Sequence, residues 1–275
     1  MVPAMLSRGP AAAMAAAAIT MLLSIAPSAS ALTTVTAKGA NNGDGVYTAT
    51  AKCPPGTTVV SGGFDVEEQG YVPVNKAKGE RSWFVQALET DSLTVSANCS
   101  KRLDPSARSA AKRFGEDNAG VNTTVRARCR RGEVVAGGWR YEPAGQAADN
   151  SPVFQSNRKG SERWAVTAVI DSPDADSKIR AFAYCLRGLD LRARSKRSDR
   201  VESNADGTGA AKCKPGQELL GGGFTTTPRP DWNNDDGPDH FYFASRRAGP
   251  RRWGVGAHNH SSVDGFIKTT VICRK

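Results

Sequence analysis

Three kinds of side chain in this sequence could do chemistry by their type and spacing: oxygen-bearing residues crowded into one stretch, histidines at alternate positions, and arginines beside tight turns. Asp231-Trp232-Asn233-Asn234-Asp235-Asp236-Gly237-Pro238-Asp239-His240 is the densest polar cluster. Its carboxylates and amides suit Ca²⁺, but an EF-hand loop needs Gly where Asp236 stands and Glu where Tyr242 stands. Sugar contact is the alternative chemistry, with Trp232 stacking on a ring and Asn233, Asp235 and Asp236 hydrogen bonding to hydroxyls. His258 and His260 alternate, so on a strand both rings leave from one face, and His240 would complete a zinc set only if the fold carried it across. No carboxylate base stands in register with them. Partly exposed strand histidines and no bound metal are therefore expected.

The arginines act as a group. Arg246, Arg247, Arg251 and Arg252 flank Gly249-Pro250, and Arg158, Lys159 and Arg163 flank Gly160 in a similar setting. Further basic residues crowd Lys101–Arg113, Arg126–Arg131 and Arg187–Arg200, within a total of 37 basic against 27 acidic side chains. A surface of that sign attracts anionic polymers such as teichoic acids, acidic polysaccharide or DNA. The basic runs carry no interleaved aromatics of the kind that stack on single-stranded bases, so specific nucleic-acid binding is not expected. Two of these crowded runs fall between repeated units, where like charges ordinarily just face water. Gly-x-Ser-x-Gly, His-Glu-x-x-His and phosphate-cradling glycine loops are absent, so neither an enzyme nor a cofactor is expected.

What positions these residues is a repeat. Cys53-Pro54-Pro55-Gly56-Thr57-Thr58-Val59-Val60-Ser61-Gly62-Gly63-Phe64 returns as Cys129-Arg130-Arg131-Gly132 through Gly137-Gly138-Trp139, and again as Cys213-Lys214-Pro215-Gly216 through Gly222-Gly223-Phe224. In each copy a Gly follows the Cys by three residues, then an aliphatic pair, then Gly-Gly-aromatic. Further along, Trp83, Trp164 and Trp253 each head a row that alternates apolar and polar residues, a period of two that marks a strand with one buried face. A Trp in that position is read as core rather than as a sugar platform. The Gly-Gly pair, unhelpful to a strand on its own, is read as the place where something packs close. Between the Gly-Gly-aromatic strand and the next, the connection lengthens from unit to unit, reaching Thr225–Asp239 in the third, and variable loops on a fixed scaffold are where binding usually sits.

The first 31 residues carry one charge, Arg8, an apolar run from Ala11 to Ile25 and an Ala29-Ser30-Ala31 end. That pattern reads as a signal peptide, the run being too short for a spanning helix of about 20 residues. The mature chain then starts near Leu32 with a net charge of +9 instead of +10, secreted and without an integral membrane anchor. In an oxidising compartment six cysteines are expected to pair. Each unit owns one early and one late Cys, which favours Cys53 with Cys99, Cys129 with Cys185 and Cys213 with Cys273.

Helix signals are poor, with Ala107–Phe114 the one short candidate. The expected fold is all-β, with three repeats of about 80 residues spanning 32–101, 102–187 and 188–275 and five to six strands each. Two architectures fit, a β-prism of threefold pseudosymmetry or a row of small β-sandwiches. The Cys-Pro-x-Gly, Gly-Gly-aromatic and late-Cys pattern resembles that of secreted three-repeat proteins of high-GC bacteria, over all three units. It is similar, more distantly, to the outer layer protein of the vitelline membrane, a three-sheet β-prism, and that resemblance implies sugar binding. Unit two departs from it with Arg130-Arg131 where a Pro is usual, and no binding residue carries over. The expected function is a non-enzymatic module for carbohydrate or an anionic cell-envelope polymer, using Trp232, Asn233, Asp235, Asp236, Arg158, Lys159, Arg246 and Arg247. The alternative is a structural or protein-interaction protein of the cell surface.

Overall fold

A computed structural model describes residues 32–42, 45–67, 70–114, 122–142, 153–169, 177–227 and 240–275, without the side chains of 240–243. The described residues are all-β. Unit one holds β1 (Thr33–Lys38), β2 (Ala40–Asn41), β3 (Val46–Lys52), β4 (Thr58–Glu67), β5 (Tyr71–Ala77), β6 (Ser82–Leu88) and β7 (Ser92–Ser100). Unit two holds β8 (Ser106–Arg113), β9 (Thr123–Arg128), β10 (Glu133–Glu142), β11 (Val153–Lys159), β12 (Arg163–Ala168) and β13 (Lys178–Leu186). Unit three holds β14 (Leu191–Arg197), β15 (Ala205–Lys212), β16 (Glu218–Thr227), β17 (His240–Gly249), β18 (Arg252–Asn259) and β19 (Phe266–Arg274). The extra strand of unit one is the two-residue β2.

The strands form three antiparallel sheets in the orders β1-β7-β4-β17-β18-β15, β2-β3-β6-β5-β10-β13-β8 and β14-β19-β16-β11-β12-β9. No sheet belongs to one unit. Each unit gives its first, last and Gly-Gly strands to one sheet and its remaining strands to the next, so the three units interlock in a ring. That arrangement is prism-like, and a row of self-contained sandwiches does not describe it. At each junction the two halves of a sheet meet over two residue pairs only, such as Phe64 with Ser245 and Asp65 with Ala244. Trp139 with Asn75 and Phe224 with Ser156 are the equivalents.

The Gly-Gly pair makes this geometry. A Cβ on the first glycine, Gly62, Gly137 or Gly222, would overlap the ring of Trp83, Trp164 or Trp253 in the same unit. A Cβ on the second, Gly63, Gly138 or Gly223, would overlap the carbonyl oxygen of Ser245, Asn75 or Ser156 in another unit. One glycine seats the unit's own tryptophan and the other admits the neighbouring unit's backbone. The same three partners take the buried indole N–H: Trp83 donates to Asn75 Oδ1 at 2.6 Å, Trp164 to Ser156 Oγ at 3.0 Å and Trp253 to Ser245 Oγ at 3.2 Å. The aromatic that closes each motif points to the centre, where Trp139 meets Phe64 and Phe224 edge-on, each at 6.0 Å. All three tryptophans of the alternating rows are buried.

The cysteines pair within their units, Cys53–Cys99, Cys129–Cys185 and Cys213–Cys273. The early Cys follows a strand of one sheet and the late Cys lies in the next sheet, so the three bonds tie each pair of neighbouring sheets once. One expectation is corrected. Residues 107–113 are not helical but lie in β8, paired with β13 from Ser106↔Cys185 to Lys178↔Arg113, and the strand is followed by the Phe114 N–H on the Ser177 carbonyl at 2.8 Å. The strand is an outer one with nearly every side chain exposed. With no buried face it shows no alternation, and its alanines and arginines keep a helical look that the sheet edge overrides.

Candidate functional site

The turn arginines divide by unit. The Arg158 side chain is 4% exposed, with its Nη2 3.3 Å from Glu133 Oε1 and its Nε donating to the Gly160 carbonyl at 2.8 Å. Burial lowers its pKa, and the Glu133 carboxylate opposes that shift. Arg247 repeats the pose, with Nε donating to Gly249 O at 3.2 Å and Nη2 to Pro250 O at 2.7 Å. Its pKa is also lowered by burial and supported by Glu218. Both guanidiniums are therefore turned into the unit junctions. Arg246 lies outside, pairing with Asp65 at 2.6 Å across the sheet junction, and Lys159 is exposed. Trp232, Asn233, Asp235 and Asp236 lie outside the described residues, as does the side chain of His240.

Glu133 and Glu218 have a second task that the sequence reading missed. The Leu191 N–H donates to Glu133 Oε2 at 3.1 Å, and the Leu32 N–H donates to Glu218 Oε1 at 3.2 Å. Each glutamate opens a Gly-Gly strand and receives the backbone at the head of the following unit's first strand, and Glu218 also pairs with Arg274. The third junction is built differently. Thr58 stands at the glutamate position and donates to the Leu103 carbonyl, while Pro105, at the place of Leu191 and Leu32, has no N–H to give. Ala77 stands where Arg158 and Arg247 do, each of the three pairing with its own hairpin's Trp. Here Tyr184 reaches across, its hydroxyl accepting the Ala77 N–H at 2.6 Å, and burial raises its phenol pKa well above the ordinary value. Aligning the three copies by their glycines would have exposed the joint replacement of Glu by Thr58 and Arg by Ala77.

No family model matches the chain, and no curated protein does.

The basic runs that read as connections are largely strands. From Arg192 to Arg197 every side chain of β14 is exposed. Arg192, Arg194 and Lys196 lie opposite Cys273, Val271 and Thr269, so they share one side of an outer strand at intervals of about 6.6 Å. Arg192 pairs with Asp190 at 3.1 Å, and Arg197 lies over the Phe266 ring at 3.2 Å. On the corresponding outer strand β8, Arg108, Lys112 and Arg113 are exposed, and Arg126 and Arg128 are exposed on the neighbouring β9. β1, the third strand of this kind, is Thr33-Thr34-Val35-Thr36-Ala37-Lys38 and carries one charge.

His258 and His260 are both half-buried in unit three. His258 and His260 come together with ring centroids 4.2 Å apart, and His258 Nδ1 is 2.7 Å from Asp206 Oδ1. Burial, and then the neighbouring His258, lower the His260 pKa, and Asp206 opposes them. Among the described residues no group of three or more His, Cys, Asp or Glu side chains is placed to hold a metal ion.

Proposed function

We propose that the protein is a secreted, non-enzymatic binding module for an anionic polymer of the cell envelope, held along the basic outer strands. The observation that carries this reading is β14, where Arg192, Arg194, Lys196 and Arg197 follow one another within a single exposed strand. Cations at about 6.6 Å spacing on a rigid sheet meet a regularly charged chain without the entropy cost of ordering a loop. The net charge of +10 extends the attraction beyond contact range. Three disulfides fit folding in an oxidising compartment, and among the described residues no helix is long and apolar enough to cross a membrane. The signal-like first 31 residues agree with export.

The test uses immobilised polyglycerol phosphate, polygalacturonate and neutral dextran. Retention on the two polyanions is expected to fall steeply with salt, as charges separated by a Debye length of about 8 to 10 Å become screened. Dextran is expected to retain nothing. The double variant Arg194→Glu/Lys196→Glu should lose binding at least about tenfold with a melting temperature within a few degrees of wild type, because exposed charges add little to folding. Failure of the wild type to bind either polyanion at low salt sinks the proposal and leaves the structural, protein-interaction reading.

A further inference from the structure

We infer that the open junction between units one and two is a receptor for an arginine side chain carried on a partner peptide. The inference does not depend on polymer binding and concerns the opposite charge. In the other two junctions the molecule supplies its own guanidinium, Arg158 or Arg247, to a pocket beside Glu133 or Glu218. In the first junction Ala77 and Thr58 replace that pair, and a cleft of about 390 Å³ lies there, lined by Val59, Ala77, Glu80, Asp104, Phe182 and Tyr184. The volume falls in the range of small-ligand sites and holds an arginine side chain with part of its backbone.

The lining chemistry suits that occupant. Glu80 and Asp104 are exposed, and neither has an ion-pair partner among the described residues. Phe182 is the partly exposed ring on which a planar guanidinium stacks while its N–H fork reaches both carboxylates, and Tyr184, buried against Trp83, closes the cleft behind it. Phe182 already has the Lys76 ammonium 5.5 Å from its ring centroid, so the ring tolerates a cation. Lys76, Lys78, Arg81 and Arg140 are the opposing charges nearby, and an incoming guanidinium must outcompete Lys76 for the Phe182 face. Lys76 also donates to the Ala77 carbonyl at 3.4 Å, and Arg81 donates to the Cys53 carbonyl at 2.8 Å. Arginine is favoured over lysine because a compact ammonium cannot stack and bridge two acids at once.

The experiment is an NMR titration with acetyl-Gly-Arg-Gly-amide and with the same peptide carrying citrulline, which keeps the shape and loses the charge. Saturable shifts confined to Ala77, Ser106, Phe182 and Tyr184 are expected with the arginine peptide, and binding at least about tenfold weaker with citrulline, a difference of about 1.4 kcal/mol. Two variants sharpen the result. Ala77→Arg should fill the cleft with the protein's own guanidinium, keep the folded spectrum, raise the melting temperature and abolish binding. Glu80→Gln/Asp104→Asn should weaken the arginine peptide at least about tenfold while the fold stays intact. Equal affinity for citrulline, undiminished binding by Ala77→Arg, or no shifts up to about 10 mM peptide each overturn the inference. Neither variant touches β14 and neither removes a positive charge, so polyanion retention should not fall in either.

Discussion

The centre of the molecule and its rim obey the same pseudosymmetry and use it in opposite ways. At the centre all three units carry the same parts: two glycines, an indole N–H on a side-chain oxygen, and an aromatic turned to the axis. At the rim the corresponding strands differ completely, β1 being mostly threonine and β14 mostly arginine and lysine. Close packing explains the first, since no other side chain fits where a backbone carbonyl occupies the space of a Cβ. Solvent explains the second, since a largely exposed outer strand accepts almost any polar residue. Function is therefore sought where the copies disagree: in β14, and in the one junction that lacks its arginine.

The strongest way to break this comparison is at the glycines. Gly138→Val drives a branched side chain into the Asn75 carbonyl and should destabilise by at least about 3 kcal/mol, or prevent folding outright. Arg108→Val on the rim should stay within about 0.5 kcal/mol. Chemical denaturation of both variants measures the contrast, and similar midpoints would show that the centre is not the constrained region. The covalent ties come next. Cys213→Ala/Cys273→Ala opens a bond spanning 60 residues and should cost about 2 to 5 kcal/mol, seen as a lower denaturation midpoint.

The smallest effect lies with His260. Its folded pKa lies below the unfolded value near 6.5, so the folded state binds fewer protons there. This contribution is full above that value and is lost as pH falls through the folded pKa. The melting temperature should decline between pH 7 and pH 5, and His260→Gln should remove part of that slope. An identical slope in the variant would place the pH sensitivity elsewhere.

Much of the centre was legible because its signals are local. A two-residue period around Trp83, Trp164 and Trp253 announces a strand and its buried face, and the position of each cysteine within its unit indicates the pairing. The exchange of strands between units was not legible. Each junction rests on two residue pairs, too few to leave a pattern, and their partners are as distant as Phe64 and Ser245. The outer strand β8 was missed because exposure on both faces erases alternation. The turn arginines were visible as charges, but the inward direction of Arg158 depends on Glu133, whose position in another strand the chain order does not reveal. The stretch Asp231–His240 stands out by composition alone, which does not say what it binds.

The interlocked ring also sets an order of assembly. β4 lies between β7 and β17, so one edge of it stays bare until a distant strand arrives, Arg246 joining Asp65 from 181 residues further along the chain. A chain that folds from its amino end can make β1, β7 and β4 early but completes that sheet only with unit three. During this interval β4 offers unpaired amides and carbonyls to any extended segment, and the β17 of a second molecule is by construction the best available one. Folding at high concentration thus favours exchange of unit three between two chains, closing two rings at once, whereas dilution favours the single ring in which a chain meets its own end.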